Sequence, residues 1–179
     1  MSEPVDFAPW DSVGHPGSTL STTPAASRRS TVEVVGPQGV VARISPGAQK
    51  RTDEVHSAGV PWIVTRDRRG ALGVRDAATG QTVAEVGRAG WTSRRSGVVD
   101  GRDVRWESAG LLTTTFRWVD PQGAVLLEVH PRGFLKRRLE LTVGAERLPG
   151  PTVLLLAVLS RHLVADTDEA GAAGGAVGA

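Results

Sequence analysis

The chain has 179 residues and contains no cysteine, no tyrosine and no asparagine. Without cysteine there is no disulfide framework, no Cys-ligated zinc site and no thiol nucleophile. Without tyrosine every phenol-dependent mechanism is excluded, and without asparagine there is no N-glycosylation sequon. Histidine is sparse: His15, His56, His130 and His162 are scattered, and no two stand at metal-ligand spacing. The nucleophile elbow, the phosphate-cradling glycine loop and the dinucleotide fingerprint are all missing. These absences leave no catalytic constellation, so the expectation is a protein that is not an enzyme, with no catalytic residue, no metal site and no cofactor. The N-terminal stretch has an early acidic residue and several prolines, and lacks a basic region followed by an apolar one; it does not read as a signal peptide, which points to a cytoplasmic protein.

Acidic residues are also scarce where basic ones are dense. Lys and Arg number 21 against 19 Asp and Glu, a net charge of +2, and 19 of the 21 are arginine. From Arg28 to Ala165 the balance is +8, and the two ends together carry −6. Three basic clusters stand out in that body: "RDRRG" (Arg66, Arg68, Arg69), "SRRS" (Arg94, Arg95) and "HPRGFLKRR" (Arg132, Lys136, Arg137, Arg138). A basic body attracts anionic partners, but it is equally the solvated surface of a chain rich in arginine.

Residues 1 to 29 are rich in Pro, Ser and Thr with few apolar residues, and read as a disordered tail in which Phe7 and Trp10 are the exceptions. Residues 166–179 turn acidic and then Gly/Ala-rich, a second flexible tail. The body between them, residues 30–165, consists of short β-branched and aromatic runs separated by turn chemistry. "TVEVV" and "GVVARI" flank "GPQG"; "RWVD" and "AVLLEV" flank "PQG". "VPWIVT", "ALGVR", "TVAEV", "VRWES" and "FLKRRLELTV" are further candidate strands, with turns at "RDRRG", "DAATG" and "VVDGRD". In the last strand Leu139, Leu141 and Val143 share one face, while Lys136, Arg138 and Glu140 share the other. Val74–Val86 and Trp118–Val129 follow one scheme of strand, Asp, turn, Gly and a strand ending Glu-Val, either a repeat or the common look of hairpins.

The longest apolar run, Val153 to Leu159, is seven residues. A bilayer needs about 20, so this run is no membrane anchor. Pro151 at a first helical position, and Arg161 and His162 as helix-end cations in the last turn facing the negative end of the dipole, frame a helix of about residues 151–165. Seven consecutive apolar residues cover the whole helix circumference, so the helix must be buried on every side. The preceding hairpins are the only material to enclose it. The fold class expected is therefore mainly β: a closed antiparallel β-barrel of hairpins around one hydrophobic C-terminal α-helix.

Amphipathic hairpins of the "VxDxxGxxVxEV" kind, ending in "PTVLLLAVLSRHLVAD", resemble the tubby C-terminal-like superfamily, which includes phospholipid scramblases and LURP-one-related proteins. The resemblance covers residues 31 to 165 and lies in architecture, with no short invariant motif. It implies a twelve-stranded barrel, which the residues before the helix can supply only with short strands. It also implies a non-enzymatic module that binds anionic lipid headgroups and sits peripherally on the inner membrane face. The scramblase cysteine cluster is absent, and "DTDE" lacks the ligand spacing of a calcium loop.

Headgroup-binding candidates are Arg132, Lys136 and Arg138 on the outer face of the last strand, with Arg66, Arg68 and Arg69 as a second patch. Glu140 and acids on neighbouring strands are the alternative, neutralising these charges into ordinary surface. Three classes of function follow. A lipid-binding module has an anionic phospholipid membrane surface as partner. A protein-interaction or scaffold domain has a protein partner held through the tails, and no lipid ligand. Nucleic-acid binding ranks third, because stacking aromatics interleaved with arginine on strands are sparse, with "VRWES" (Arg105, Trp106) the close case.

Overall fold

A computed structural model describes residues 6–25, 30–59, 61–88, 95–110, 114–133 and 138–174, with side chains through residue 167. Twelve strands precede one helix: β1 (Thr19–Pro24), β2 (Val32–Gly36), β3 (Gly39–Pro46), β4 (Thr52–Ser57), β5 (Trp62–Arg66), β6 (Leu72–Asp76), β7 (Thr82–Arg88), β8 (Arg95–Val99), β9 (Arg102–Ser108), β10 (Phe116–Val119), β11 (Val125–Arg132), β12 (Arg138–Val143) and α1 (Gly150–Gly174). Each strand pairs antiparallel with its neighbours in sequence, and β1 pairs with β12, so the sheet closes into a barrel. Closure leaves no strand edge unpaired.

Short turns with the right residues build this meander. Asp100 and Gly101 join β8 to β9 with φ of 51° and 75°, the left-handed pair that a two-residue hairpin of the twisted sheet requires. The two similar hairpins share more than a pattern. Asp76 Oδ1 accepts the backbone N–H of Ala78 and Thr79, and Asp120 Oδ1 accepts that of Ala124. Both hairpins also carry a register shift, at Val74/Arg75 and at Trp118/Val119. The alternation along the last strand is as its sequence implies, with Leu139, Leu141 and Val143 buried and Arg138 and Glu140 exposed.

The helix fills the lumen. Every residue from Val153 to Leu159 is at most 1% exposed, and no helix among the described residues is long and apolar enough to cross a membrane. An apolar helix in an apolar tube has little to set its rotation, and polar contacts at three levels set it here. Thr152 Oγ1 donates to Asp100 Oδ2 (2.6 Å) at the helix start. Halfway along, Trp118 Nε1 donates to Ser160 Oγ (2.9 Å), which itself donates to the Leu156 carbonyl. Near the far end Asp166 meets Arg66 and Arg95.

Two boundaries expected from sequence are corrected. Residues 6–25 are part of the fold and not of a disordered tail: β1 is the strand that closes the barrel, and Trp10 stacks on Trp62 with ring centroids 5.5 Å apart. Gly59 lies directly under the Trp10 ring, where a Cβ would collide with it. Likewise the helix does not end at residue 165: α1 runs on through Asp166 to Gly174. The strands that sequence patterning missed, β1, β4 and β8, are those with few apolar residues. The first two carry one fully buried apolar residue each, Leu20 and Val55.

Candidate functional site: the arginine mouth of the barrel

Alternate connections of an antiparallel meander fall at the same end of the barrel. The loops after β3, β5, β7 and β11 therefore share a mouth with the last described part of α1, as the contacts of Arg66 and Arg95 with Asp166 mark. Lys50, Arg51, Arg66, Arg68, Arg69, Arg88, Arg95, Arg132 and Arg138 all stand at or beside that mouth. The opposite mouth, where Thr152 meets Asp100, has Asp11, Asp76, Asp120 and Glu146 around it together with Arg75, Arg102 and Arg147. Basic residues outnumber Asp53, Asp67 and Asp166 at the first mouth, so charge is unevenly divided along the barrel axis.

The two expected patches are at this one mouth but not together. Strand order places the β5–β6 and β11–β12 connections on opposite sides of the ring of twelve. Arg132 Nε donates to Glu140 Oε2 (2.8 Å), and both side chains are more than half exposed, so this pair neutralises part of the first patch in the way the sequence alternative foresaw. Arg138 is exposed, directly opposite Arg132 in the β11–β12 register. Lys136 lies outside the described residues.

The second patch is part of a formed site. Asp67 Oδ1 accepts the backbone N–H of Arg69 and of Ala71, both at 2.8 Å, which folds the loop tip and turns its carboxylate inward. An open groove of about 870 Å³ is lined by Arg66, Arg68, Arg69, Arg88 and Arg95, with Asp67 and Asp166 as its carboxylates. It adjoins a second hollow of about 650 Å³ that shares Arg66 and Arg68 and adds Lys50, Arg51, Asp53 and His162. Arg95 faces the lumen and is 8% exposed. Its Nη1 donates to the Gly70 carbonyl and its Nη2 to Asp166 Oδ2 at 3.0 Å, while Arg66 Nη1 pairs with Asp166 Oδ1. Burial lowers the Arg95 pKa and the Asp166 carboxylate opposes the shift. Arg68, Arg69 and Arg88 are exposed and have no carboxylate partner among the described residues. Arg66 and Arg95, held in place on Asp166, with three exposed arginines beside them, make a site for a polyvalent oxyanion.

Arg95 and Asp166 are the members sequence reasoning did not select. Arg95 was visible only as half of a basic pair, with no sign that it faces inward, and Asp166 only as part of an acidic tail. His162 is also corrected: α1 continues past it, and it is not a helix-end cation. Burial, with Arg66 and Arg161 nearby, pushes its pKa down to about 4, so it is neutral, with Nε2 3.6 Å from Asp53 Oδ2. Burial also raises the Asp53 pKa.

An acid sensitivity follows. The unfolded chain takes up the His162 proton near pH 6.5 and the folded chain only near 4. Stability is therefore complete above about pH 6.5, falls as pH drops from there to about 4, and loses on the order of 3 kcal/mol from this group. Chemical denaturation at pH 7.5 and pH 4.5 should show a smaller acid loss in His162→Phe than in the parent. An identical loss in both would mean that the ring is not held neutral.

Fold and site together define a class: a twelve-stranded antiparallel barrel closed around its own C-terminal helix, with one basic mouth. A solved structure of this architecture is the X-ray structure of the Arabidopsis thaliana protein AT5G01750, which aligns with a TM-score of 0.58 over 89% of this chain and 95% of that one, at 11% identity. The likeness is one of fold. No protein-family model matches the chain, and no curated protein matches it in sequence.

Proposed function

We propose that this protein is a non-enzymatic, tubby- and scramblase-like module that binds anionic phosphorylated headgroups at the inner face of a membrane through its arginine mouth. The observation that carries this reading is the convergence of Arg66, Arg68, Arg69, Arg88 and Arg95 on one groove whose two carboxylates, Asp67 and Asp166, leave basic charge in excess. The axial charge polarity supports it, since a barrel basic at one mouth orients that mouth toward an anionic surface. The barrel-and-helix architecture it shares with the plant protein is the one that the superfamily resemblance implies. Of the alternatives, nucleic-acid binding loses its one sequence signal: Trp106 is buried, stacked on Phe116 and tilted against Trp118, so its face is not open to a base.

Flotation with phosphatidylcholine vesicles, with and without anionic lipid, tests the proposal. Each basic residue near an anionic surface contributes about 1 kcal/mol, so Arg68→Ala with Arg88→Ala should weaken binding roughly 30-fold and leave the melting temperature unchanged. Arg132→Ala with Arg138→Ala should weaken it less, because Arg132 is already paired with Glu140. Binding should fall steeply with salt. Equal binding to neutral and anionic vesicles, or none to either, would replace this reading with the protein-interaction scaffold.

A further inference from the structure

The carboxylate of Asp166 occupies the place between Arg66 and Arg95 that a ligand's phosphate would need. Arg66 pairs with one of its oxygens and Arg95 with the other. Among the described side chains of α1, Leu163 and Val164 are the last that are buried; Ala165 and Asp166 are half-buried and Thr167 is exposed. Thr167 Oγ1 bonds only back to the Leu163 carbonyl, within the helix. Beyond Val164, then, the helix is tied to the barrel wall through Asp166 among the described residues.

We infer that Asp166 is a built-in competitor for the groove, that a phosphomonoester displaces it more readily than a phosphodiester does, and that displacement frees the end of α1. This inference rests on the anion-binding reading above and narrows its ligand. A tethered carboxylate acts at an effective concentration in the millimolar range, so an incoming anion must bind the arginine pair better than a carboxylate does. A phosphodiester brings one charge, as the carboxylate does, and has no advantage. A phosphomonoester carries about −1.5 to −2 at pH 7 and three acceptor oxygens. It satisfies Arg66 and Arg95 together and leaves an oxygen for Arg68 or Arg88 on the groove rim. The same chemistry comes from a lipid headgroup or from a soluble phosphomonoester.

The experiment compares the full chain with Asp166→Asn, using phosphatidylcholine vesicles that carry phosphatidic acid or phosphatidylglycerol at equal surface charge. The parent should prefer phosphatidic acid about tenfold, and Asp166→Asn should bind both lipids about tenfold more tightly with the preference kept, because a tethered competitor lowers the apparent affinity of every anion by one factor. In the parent, which needs no variant to fold, phosphatidic acid vesicles should speed backbone amide exchange after Val164. If sn-glycerol 3-phosphate does the same, the free phosphomonoester suffices; if only the vesicles do, the lipid-borne group is the ligand. Either result supports displacement of Asp166. Binding of phosphatidic acid with unchanged exchange after Val164, or equal affinities of the parent and Asp166→Asn for both vesicles, would overturn the competitor and leave the arginine groove standing. Failure of both proteins to bind either vesicle would overturn the groove and the competitor together.

Discussion

A chain shortened to begin at Ser27 will not fold to a cooperative domain, although that boundary removes only the segment that composition marks as a tail. The deletion takes away β1, whose Leu20 and Thr22 are buried and whose partners are β2 on one side and β12 on the other. It also removes Val13, which is fully buried, and the Trp10–Trp62 stack. Two strands are left with unpaired edges, and the lumen opens beside the helix. Each buried aliphatic side chain lost forfeits about 1.5–3 kcal/mol, and every orphaned backbone group adds to that. Against a net stability of about 5–15 kcal/mol for a domain, the loss removes the folded state. Circular dichroism on heating should show no sigmoidal transition, and size exclusion should show aggregation through the exposed edges. A melting temperature within a few degrees of the full chain would show that the barrel closes without β1.

Leu155→Arg is expected to have an effect as large, from the inside. Leu155 is 1% exposed, in the middle of the apolar run that the barrel surrounds. Truncation to alanine there would cost about 2–5 kcal/mol as a cavity. Arginine adds a charge inside the apolar core to which Leu155 belongs, a burial that costs several kcal/mol more even after relaxation. The parent should be soluble without detergent with a single thermal transition, and Leu155→Arg should have none. If Leu155→Arg instead stays folded and the parent partitions into detergent, α1 does not sit in the lumen.

Much of this architecture was legible in the chain, and the reason lies in particular residues. Hairpins such as "VVDGRD" declare themselves because Asp100 and Gly101 are residue types that accept left-handed backbone. Val153 to Leu159 dictates enclosure because no face of that helix is polar. The strand "TLSTTP" did not declare itself. Thr22 is buried with its hydroxyl accepting the Leu139 amide (3.0 Å), so a residue that reads as polar tail is part of the core through one hydrogen bond to a strand more than a hundred residues away. The barrel boundary was misplaced for that reason alone.

Of the candidate site, Arg66, Arg68 and Arg69 could be found because they are adjacent in sequence, and the turn around Asp67 keeps them adjacent in space. Arg88 and Arg95 join them only because β7 and β8 pair in the register that sets one opposite the other. Arg132 and Arg138 looked equivalent in composition, but half a barrel separates them from the groove, and Glu140 engages one of them.

By itself, then, the amino-acid order determined that this protein is a β meander with a helix that must be enclosed, because turn chemistry and apolar periodicity act over a few residues. Only the tertiary structure decided that the N-terminal segment is the closing strand, that five arginines share one groove, and that the carboxylate between two of them comes from the helix. Those outcomes depend on strand register and on the level at which the helix stops in the lumen, and both are fixed by packing and ion pairs between residues far apart in the chain.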